Sequence, residues 1–224
     1  MSSYCKREGH DVERPTAPHV AVTLVLDVSA SMNKRTQRGT CIELLNEGVN
    51  YLIDVLSSDN DCSVAVDLSI ITFGECVKSY QPFSPIGAVQ QVTLLADEDE
   101  LDTLATEAIK LANENLRIRI REYTVIPYIP WMIIMTGSCF ADYLSEVGKD
   151  LKSRAAQGKL HTICIGMGDE YDASQLAQLS DHAYALKDYD FKAFMGWLFK
   201  SLTTVLHPFK SVNTENPVNI ERIV

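Results

Sequence analysis

The stretch that decides the fold is Val20-Ala21-Val22-Thr23-Leu24-Val25-Leu26-Asp27-Val28-Ser29-Ala30-Ser31-Met32. Its first seven residues form a short and largely β-branched apolar run, which is typical of a strand buried on both faces of a parallel sheet. Asp27, Ser29 and Ser31 then alternate with apolar residues, so their side chains can turn the same way where the strand ends. Open α/β sheets hold ligands at the carboxyl ends of their strands. The stretch therefore predicts an α/β fold with a polar site at the end of its first strand.

The three polar side chains indicate what such a site would bind. One carboxylate and two hydroxyls are hard oxygen ligands, which suit Mg²⁺, Mn²⁺ or Ca²⁺ better than zinc. A simpler interpretation is that an Asp and two Ser at a strand end cap the helix that follows. This stretch by itself leaves both interpretations open.

The composition excludes several classes of protein. The 224 residues suffice for one α/β domain with short tails and a full hydrophobic core. A formal net charge of -10 argues against nucleic-acid binding, which needs a basic face. No apolar run reaches the roughly 18 to 20 residues of a membrane-spanning helix. Residues 1–10 also lack the apolar core of a signal peptide.

The cysteines indicate a reducing compartment. The six of them form no Cys-x-x-Cys pair, and several lie inside apolar runs: Cys5, Cys41, Cys62, Cys76, Cys139 and Cys164. Free thiols in such positions behave as small hydrophobic residues. We therefore expect a cytoplasmic protein with reduced cysteines.

Strand-like and helix-like segments alternate along the chain. Strands are predicted at 20–26, 64–74, 77–83, 131–136, 160–166 and 183–186, and helices at 42–56, 103–121, 141–157, 173–179 and 191–206. This alternation predicts a three-layer α/β/α domain over residues 19–207, with right-handed crossovers. Residues 1–18 are a polar lead-in. Residues 208–224 are a tail for which disorder, docking on the domain and strand addition to a partner all remain open.

Four blocks of sequence, taken in order, carry a resemblance to a known family: Leu26–Met32, Leu68–Phe73, Tyr128–Thr136 and Phe191–Leu198. Together they resemble von Willebrand factor type A (vWA) domains, and most closely the bacterial tellurite-resistance-associated branch. The resemblance covers residues 20–206. It implies a Rossmann-like fold with a mostly parallel central sheet of strand order 3-2-1-4-5-6, in which strand 3 is antiparallel.

The resemblance also implies a metal-ion-dependent adhesion site (MIDAS) built from three loops. In the first loop Ser29 and Ser31 would bind the ion directly, while Asp27 would hold its waters and orient the hydroxyls. In the second loop the best match to the family's Thr is Thr103, although Leu101-Asp102 replaces the Gly-Gly that normally precedes it.

The third loop departs from the family pattern at one position. The family has Thr-Asp-Gly, whereas this chain has Thr136-Gly137-Ser138, so Gly137 stands in place of the Asp. A carboxylate about 4 Å from an ion is worth about 4 kcal/mol at an effective dielectric constant near 20, although lower repulsion and water offset much of this. We therefore expect a degenerate site in which Mg²⁺, Mn²⁺ or Ca²⁺ binds weakly or not at all.

Three nearby acidic residues are candidates to compensate for the missing carboxylate: Glu100, Asp102 and Asp142. The alternative is that Asp102 caps the following helix and that Asp142 is simply solvated.

The resemblance implies a non-enzymatic interaction module. An ion held by neutral hydroxyls can take an Asp or Glu side chain of a partner protein as its last ligand. In this branch such domains accompany kinase or phosphatase partners in stress-response and signalling systems, and neither nucleic acid nor membrane is implied. The alternative is a Mg²⁺- or Mn²⁺-dependent hydrolase of phosphatase type on a similar sheet. The sequence has no phosphate-binding loop, no complete dinucleotide fingerprint and no nucleophile elbow.

Overall fold

The computed structural model describes residues 17–99, 104–207 and 220–223. The strands are β1 (Val20–Asp27), β2 (Val66–Phe73), β3 (Lys78–Pro85), β4 (Trp131–Ser138), β5 (His161–Glu170), β6 (Ala183–Leu186) and β7 (Ile220–Arg222). The α-helices are α1 (Cys41–Ser58), α2 (Cys62–Ala65), α3 (Ala105–Glu122), α4 (Ser145–Ala156), α5 (Ala173–Leu179) and α6 (Phe191–Leu206). Short 3-10 helices cover Ala30–Asn33, Ile86–Ala88 and Lys187–Tyr189.

The strands form one sheet of order β3-β2-β1-β4-β5-β6-β7. The five inner strands run parallel, whereas β3 and β7 pair antiparallel at the two edges. The predicted order 3-2-1-4-5-6 with an antiparallel third strand is confirmed. The seventh strand, which lies in the predicted tail, extends the sheet within this same chain.

The central strand β1 separates two hydrophobic cores. All eight of its residues are buried, and it pairs with β2 on one side and β4 on the other. Leu24 and Leu26 pack in the core that contains α1 and α6, whereas Val25 packs in the core that contains α3, α4 and α5. Successive side chains of a strand point to opposite faces. The apolar run of β1 therefore produces the three-layer architecture directly.

The first helix begins with a reciprocal cap. The Thr40 hydroxyl accepts a hydrogen bond from the Glu43 amide at 3.4 Å, and the Glu43 carboxylate accepts one from the Thr40 amide at 2.7 Å. Such a capping box satisfies two of the backbone donors that a helix start leaves unpaired. The cap fixes where α1 starts after the loop that follows β1.

A buried charge network ties α3 to the amino end of the sheet. Asp67 of β2 has no solvent exposure. It accepts hydrogen bonds from His19 at 3.1 Å, from Arg119 at 3.3 Å and from the Tyr123 hydroxyl. A buried carboxylate is tolerated only when it is paired in this way. The network therefore holds the carboxyl end of α3 against β2.

Two further observations concern the cysteines and membrane-spanning helices. The five described cysteines are all free thiols, and three of them are buried: Cys41, Cys62 and Cys164. In the described part of the chain, no helix combines the length and the apolar character needed to cross a bilayer.

Candidate metal centre

Two hydroxyl groups lie side by side just beyond the end of β1. The 3-10 helix Ala30–Asn33 turns the chain there and brings Ser29 Oγ and Ser31 Oγ to 3.0 Å from each other. Ser29 is the residue that precedes this helix, yet its side chain makes no capping hydrogen bond. Ser29 therefore does not cap this helix, as the simpler interpretation would require.

The distance between the two hydroxyls matches the geometry of a small divalent cation. Octahedral Mg²⁺ holds its ligands at about 2.1 Å, so two adjacent ligands are separated by about 3.0 Å. Ser29 Oγ and Ser31 Oγ have this separation while they share a hydrogen bond, which a bound ion would replace. They can therefore occupy one edge of an octahedral shell without moving apart.

Asp27 braces the loop that carries these hydroxyls. The residue is fully buried. Its Oδ1 accepts from the Ser29 amide at 2.8 Å, and its Oδ2 accepts from Thr136 Oγ1 at 2.8 Å and from the Gly137 amide at 3.0 Å. The Ser138 hydroxyl also donates to Oδ2, at 3.1 Å. Asp27 thus joins the first loop to the third, in addition to any role toward bound water.

Gly137 faces the first loop. A Cβ atom at this position would lie 3.5 Å from Ser31 Oγ and 3.2 Å from the sulfur of Met32. A side chain at position 137 would therefore project toward the hydroxyl pair. The third loop offers only backbone there, as its sequence predicts.

The acidic residues that were expected to compensate fall into two groups. Asp142 accepts from the amides of Ala105 and Thr106, at 3.3 Å and 2.6 Å. It therefore caps the start of α3, whose free N–H groups attract a carboxylate. This corrects the expectation that Asp142 turns toward the site or is merely solvated. Glu100, Asp102 and Thr103 lie outside the described residues.

A different carboxylate, Asp97, lies beside the first loop. Its Oδ2 accepts from the Glu75 amide at 2.6 Å, and its own amide donates to the Val28 carbonyl at 2.7 Å. A Cβ added to Gly74 would lie 2.1 Å from Asp97 Oδ2 and 3.1 Å from the Ser29 amide nitrogen. Sequence reasoning missed Asp97, which lies in an acidic run just before the predicted helix 103–121. The sequence signal that could have pointed to this position is Gly74, directly after β2. A residue without a side chain there leaves room for the Asp97 carboxylate.

An irregular segment positions Asp97. Residues 89–97 have no regular secondary structure, yet they lie along α1 through two Asn side chains. Asn46 exchanges two hydrogen bonds with the backbone of Leu94, at 2.8 and 2.7 Å, and Asn50 does the same with Val92, at 2.9 and 2.7 Å. Four residues of helix rise about 6 Å, and two residues of extended chain span about 6.6 Å. The two spacings match, so Asn46 and Asn50 of α1 can hydrogen-bond the backbone of alternate residues in this segment, as a neighbouring strand would.

Known structures share this architecture. Proximal thread matrix protein 1 from the mussel byssus matches 82% of this chain and 47% of its own, with a TM-score of 0.61 and 15% identity. A von Willebrand factor type A protein from Catenulispora acidiphila matches 83% of this chain and 44% of its own, with a TM-score of 0.58 and 15% identity. The ArnB paralog VWA2 from Sulfolobus acidocaldarius matches 92% and 54%, with a TM-score of 0.55 and 18% identity. This chain has the fold of a vWA domain.

The likeness to these vWA structures lies in the fold, since sequence identity is low and the match spans about half the length of each protein. No protein-family model matches the sequence, and no curated protein is significantly similar to it. A second structure of the mussel protein, with a TM-score of 0.59, 13% identity and coverage of 82% and 48%, has a zinc-occupied MIDAS motif.

The oxygen atoms at the edge formed by Ser29 and Ser31 are of the kind that hard divalent cations prefer. Within 17–99, 104–207 and 220–223, no group of three or more His, Cys, Asp or Glu side chains is placed to hold a metal ion. The side-chain oxygens that the structure brings together at this edge are the hydroxyls of Ser29 and Ser31, with the Asp27 carboxylate behind them. Such oxygen ligands suit Mg²⁺ or Mn²⁺, whereas zinc prefers nitrogen and sulfur.

Proposed function

We propose that this vWA domain is a non-enzymatic interaction module that captures an Asp or Glu side chain of a partner protein at the edge formed by Ser29 and Ser31. The observation that carries the proposal is the hydroxyl pair at 3.0 Å, held on a loop that Asp27 braces. We further propose that Thr103 completes the edge. The proposed ion is Mg²⁺ or Mn²⁺, with Ca²⁺ as a third option.

The weakness of the site follows from its charges. A bound divalent ion would supply positive charge at the loop edge and open positions for an outside oxygen. Ser29 and Ser31 contribute no negative charge, and Gly137 contributes no side chain at all. The partner's carboxylate would therefore replace the charge that the third loop lacks. We expect metal and partner to bind with positive coupling, each raising the affinity of the other by the same factor.

The wider setting is proposed from the resemblance to the tellurite-resistance-associated branch. We propose a cytoplasmic protein of a bacterial stress-response or phosphorylation-linked system, whose partner is a kinase or a phosphatase. The zinc-occupied MIDAS of the mussel protein supports divalent-metal binding in this fold.

The test measures Mn²⁺ binding by calorimetry, with and without a short peptide that ends in Glu. Wild type should bind Mn²⁺ weakly alone and more tightly with the peptide. Ser29→Ala and Ser31→Ala should each lose this coupling while retaining the melting temperature. Ser79→Ala, an exposed hydroxyl on the edge strand β3, is the matched control. Equal Mn²⁺ affinity in wild type and Ser29→Ala would contradict the proposal.

A second assay separates the module from the alternative hydrolase. The whole chain is incubated with p-nitrophenyl phosphate and Mg²⁺ or Mn²⁺, and phosphate release is followed. The proposal expects no turnover above the metal alone. Turnover that Ser29→Ala abolishes would replace the interaction module with an enzyme.

A further inference from the structure

A separate groove lies at the opposite end of the sheet from Ser29. It runs between the carboxyl end of α3, the carboxyl end of α4 and residues 126–130, which lead into β4, and it has a volume of about 640 Å³. Because β1 and β4 are parallel, the start of β4 and the end of β1 lie at opposite edges. The groove therefore shares no wall with the candidate metal centre.

The groove is positively charged although the protein is acidic. Four cationic side chains line it, against the single carboxylate of Asp150: Arg117, Arg121, Arg154 and Lys159. The chain as a whole carries a net charge of -10. Four of the 20 Lys and Arg residues of this acidic protein thus line one groove where three elements meet, which favours an anionic ligand.

The positive charge is only partly neutralised within the protein. Arg117 pairs with Asp150 at 3.1 Å, and Arg154 donates to the neutral side-chain oxygen of Asn113. Lys159 donates to the neutral Gln157 at 2.7 Å. Burial, together with the charge of Arg117, lowers the pKa of Arg154, as expected where cations crowd.

Arg121 completes the positive side of the groove. It is exposed, and it forms no ion pair with any residue that the structure describes. A guanidinium group of this kind can bind a carboxylate through two parallel hydrogen bonds. Arg121 and Lys159 are therefore available to an incoming acidic group.

Apolar side chains stand beside these cations. Ile126 is 90% exposed and Ile129 is 38% exposed, and both line the groove. Pro127 and Pro130 restrict the backbone of this segment, so the apolar side chains are presented with little loss of conformational freedom on binding. A small inorganic anion would leave them uncovered.

We propose that this groove binds an extended acidic peptide segment of a partner protein, in which Asp or Glu residues flank an apolar residue. The carboxylates would pair with Arg121 and Lys159, and the apolar residue would cover Ile126. The net charge of the chain repels a nucleic acid and an acidic peptide alike, but the peptide also supplies an aliphatic side chain that can cover Ile126. This surface needs no metal, so it is independent of the function proposed for the Ser29 edge.

The test uses a fluorescein-labelled peptide, Glu-Glu-Leu-Glu-Glu-Leu, and measures its binding to the full chain by fluorescence anisotropy. Arg121→Glu and Lys159→Glu should each weaken binding about tenfold, and 0.5 M NaCl should weaken it strongly. Lys200→Glu makes the same charge change at an exposed position of α6, which lies on the other side of the sheet. It should leave binding unchanged. Ile126→Ser, or Ser in place of both Leu of the peptide, should also weaken binding.

Four outcomes would overturn the proposal. Equal weakening by Lys200→Glu would mean that only net charge matters. Loss of binding with EDTA or in Ser29→Ala would place the peptide at the other edge of the sheet. A single-stranded oligonucleotide of equal charge that binds as tightly would exclude selectivity for carboxylates. Sedimentation at the assay concentration should show a monomer, and self-association that Arg121→Glu abolishes would make a second copy the occupant.

Discussion

Under the proposed function, the side chain that is missing at position 137 is what keeps ion binding weak. Gly137→Asp would add a carboxylate whose Cβ lies 3.5 Å from Ser31 Oγ, and Met32 would need to give way by a few tenths of an ångström. We expect the affinity for Mn²⁺ to rise about tenfold or more, because the neutral hydroxyls gain a negative neighbour. Calorimetric titration with Mn²⁺ measures the change.

Gly137→Asn is the matched control, since it adds the same volume without the charge. Its Mn²⁺ affinity should stay close to that of wild type. If Asn and Asp raise the affinity equally, charge is not what the third loop lacks.

Tyr123 contributes to stability through a single hydroxyl. This group donates to the buried carboxylate of Asp67. Tyr123→Phe leaves one fewer donor on a carboxylate that has no access to water, and we expect a loss of about 1 to 3 kcal/mol in the free energy of unfolding. Urea denaturation measures it. Tyr143→Phe, at a side chain that is 93% exposed, should change nothing.

The same hydroxyl makes the free energy of unfolding depend on pH in the alkaline range. Burial and the charge of Asp67 raise the pKa of Tyr123 far above its ordinary value. The unfolded chain loses this proton near pH 10, while the folded chain keeps it. The stability that Tyr123 provides is therefore complete below about pH 10 and declines above it. The difference in unfolding free energy between wild type and Tyr123→Phe should shrink from about pH 8 to about pH 11, and a constant difference would contradict this.

At the scale of elements, α1 serves as a template for the segment that carries Asp97. Asn46→Ala removes both hydrogen bonds to the backbone of Leu94. We expect the Leu94 amide to exchange its hydrogen at least about tenfold faster, because the lost bonds are worth about 1 kcal/mol each. Hydrogen exchange measured by NMR tests this. Gln91→Ala, in the same segment but bonded only to exposed Asp54, should leave the exchange of Leu94 unaltered.

The strand β7 covers an edge that would otherwise be open. It pairs antiparallel with β6, and Lys187 reinforces the pairing through an ion pair of 2.9 Å with Glu221. Removing residues 220–224 would leave the backbone groups on the outer side of β6 unpaired, and such an open edge is a template for association. We expect the shortened chain to dimerise or aggregate at concentrations where the full chain does not, as measured by sedimentation.

Glu221→Ala provides the control for this truncation. It removes the exposed ion pair but keeps the strand, so we expect the oligomeric state of wild type. If the shortened chain stays monomeric like wild type, then β7 does not protect the edge of β6 from association.

At the scale of the whole molecule, most of the sheet could be predicted from local sequence. The buried strands are short apolar runs, such as Val20–Asp27, whose burial on both faces leaves one architecture. The edge position of β3 can also be read from the sequence, because Pro82 cannot donate a hydrogen bond to a neighbouring strand. The strand β7 could not be assigned, because the three residues Ile220–Arg222 are too few to show a period.

The candidate site was predictable only where it is contiguous. Asp27, Ser29 and Ser31 lie within five residues of one another, so their chemistry is visible in the sequence. Asp97 is placed beside the first loop by contacts between α1 and a segment that is distant from it in sequence. That segment has no periodic pattern, so its position could not be predicted from local sequence. Asp142 was misassigned for a related reason, since its helix-capping partners, the amides of Ala105 and Thr106, lie 37 and 36 residues away.

The position of β7 along the chain has a consequence for biosynthesis. Every other strand of the sheet precedes it, and residues 207–219 separate it from α6. On the ribosome, the first six strands can pair while the exposed side of β6 still waits for its neighbour. During that interval the free side of β6 is an open strand edge, which is a template for mispairing between nascent chains on one messenger.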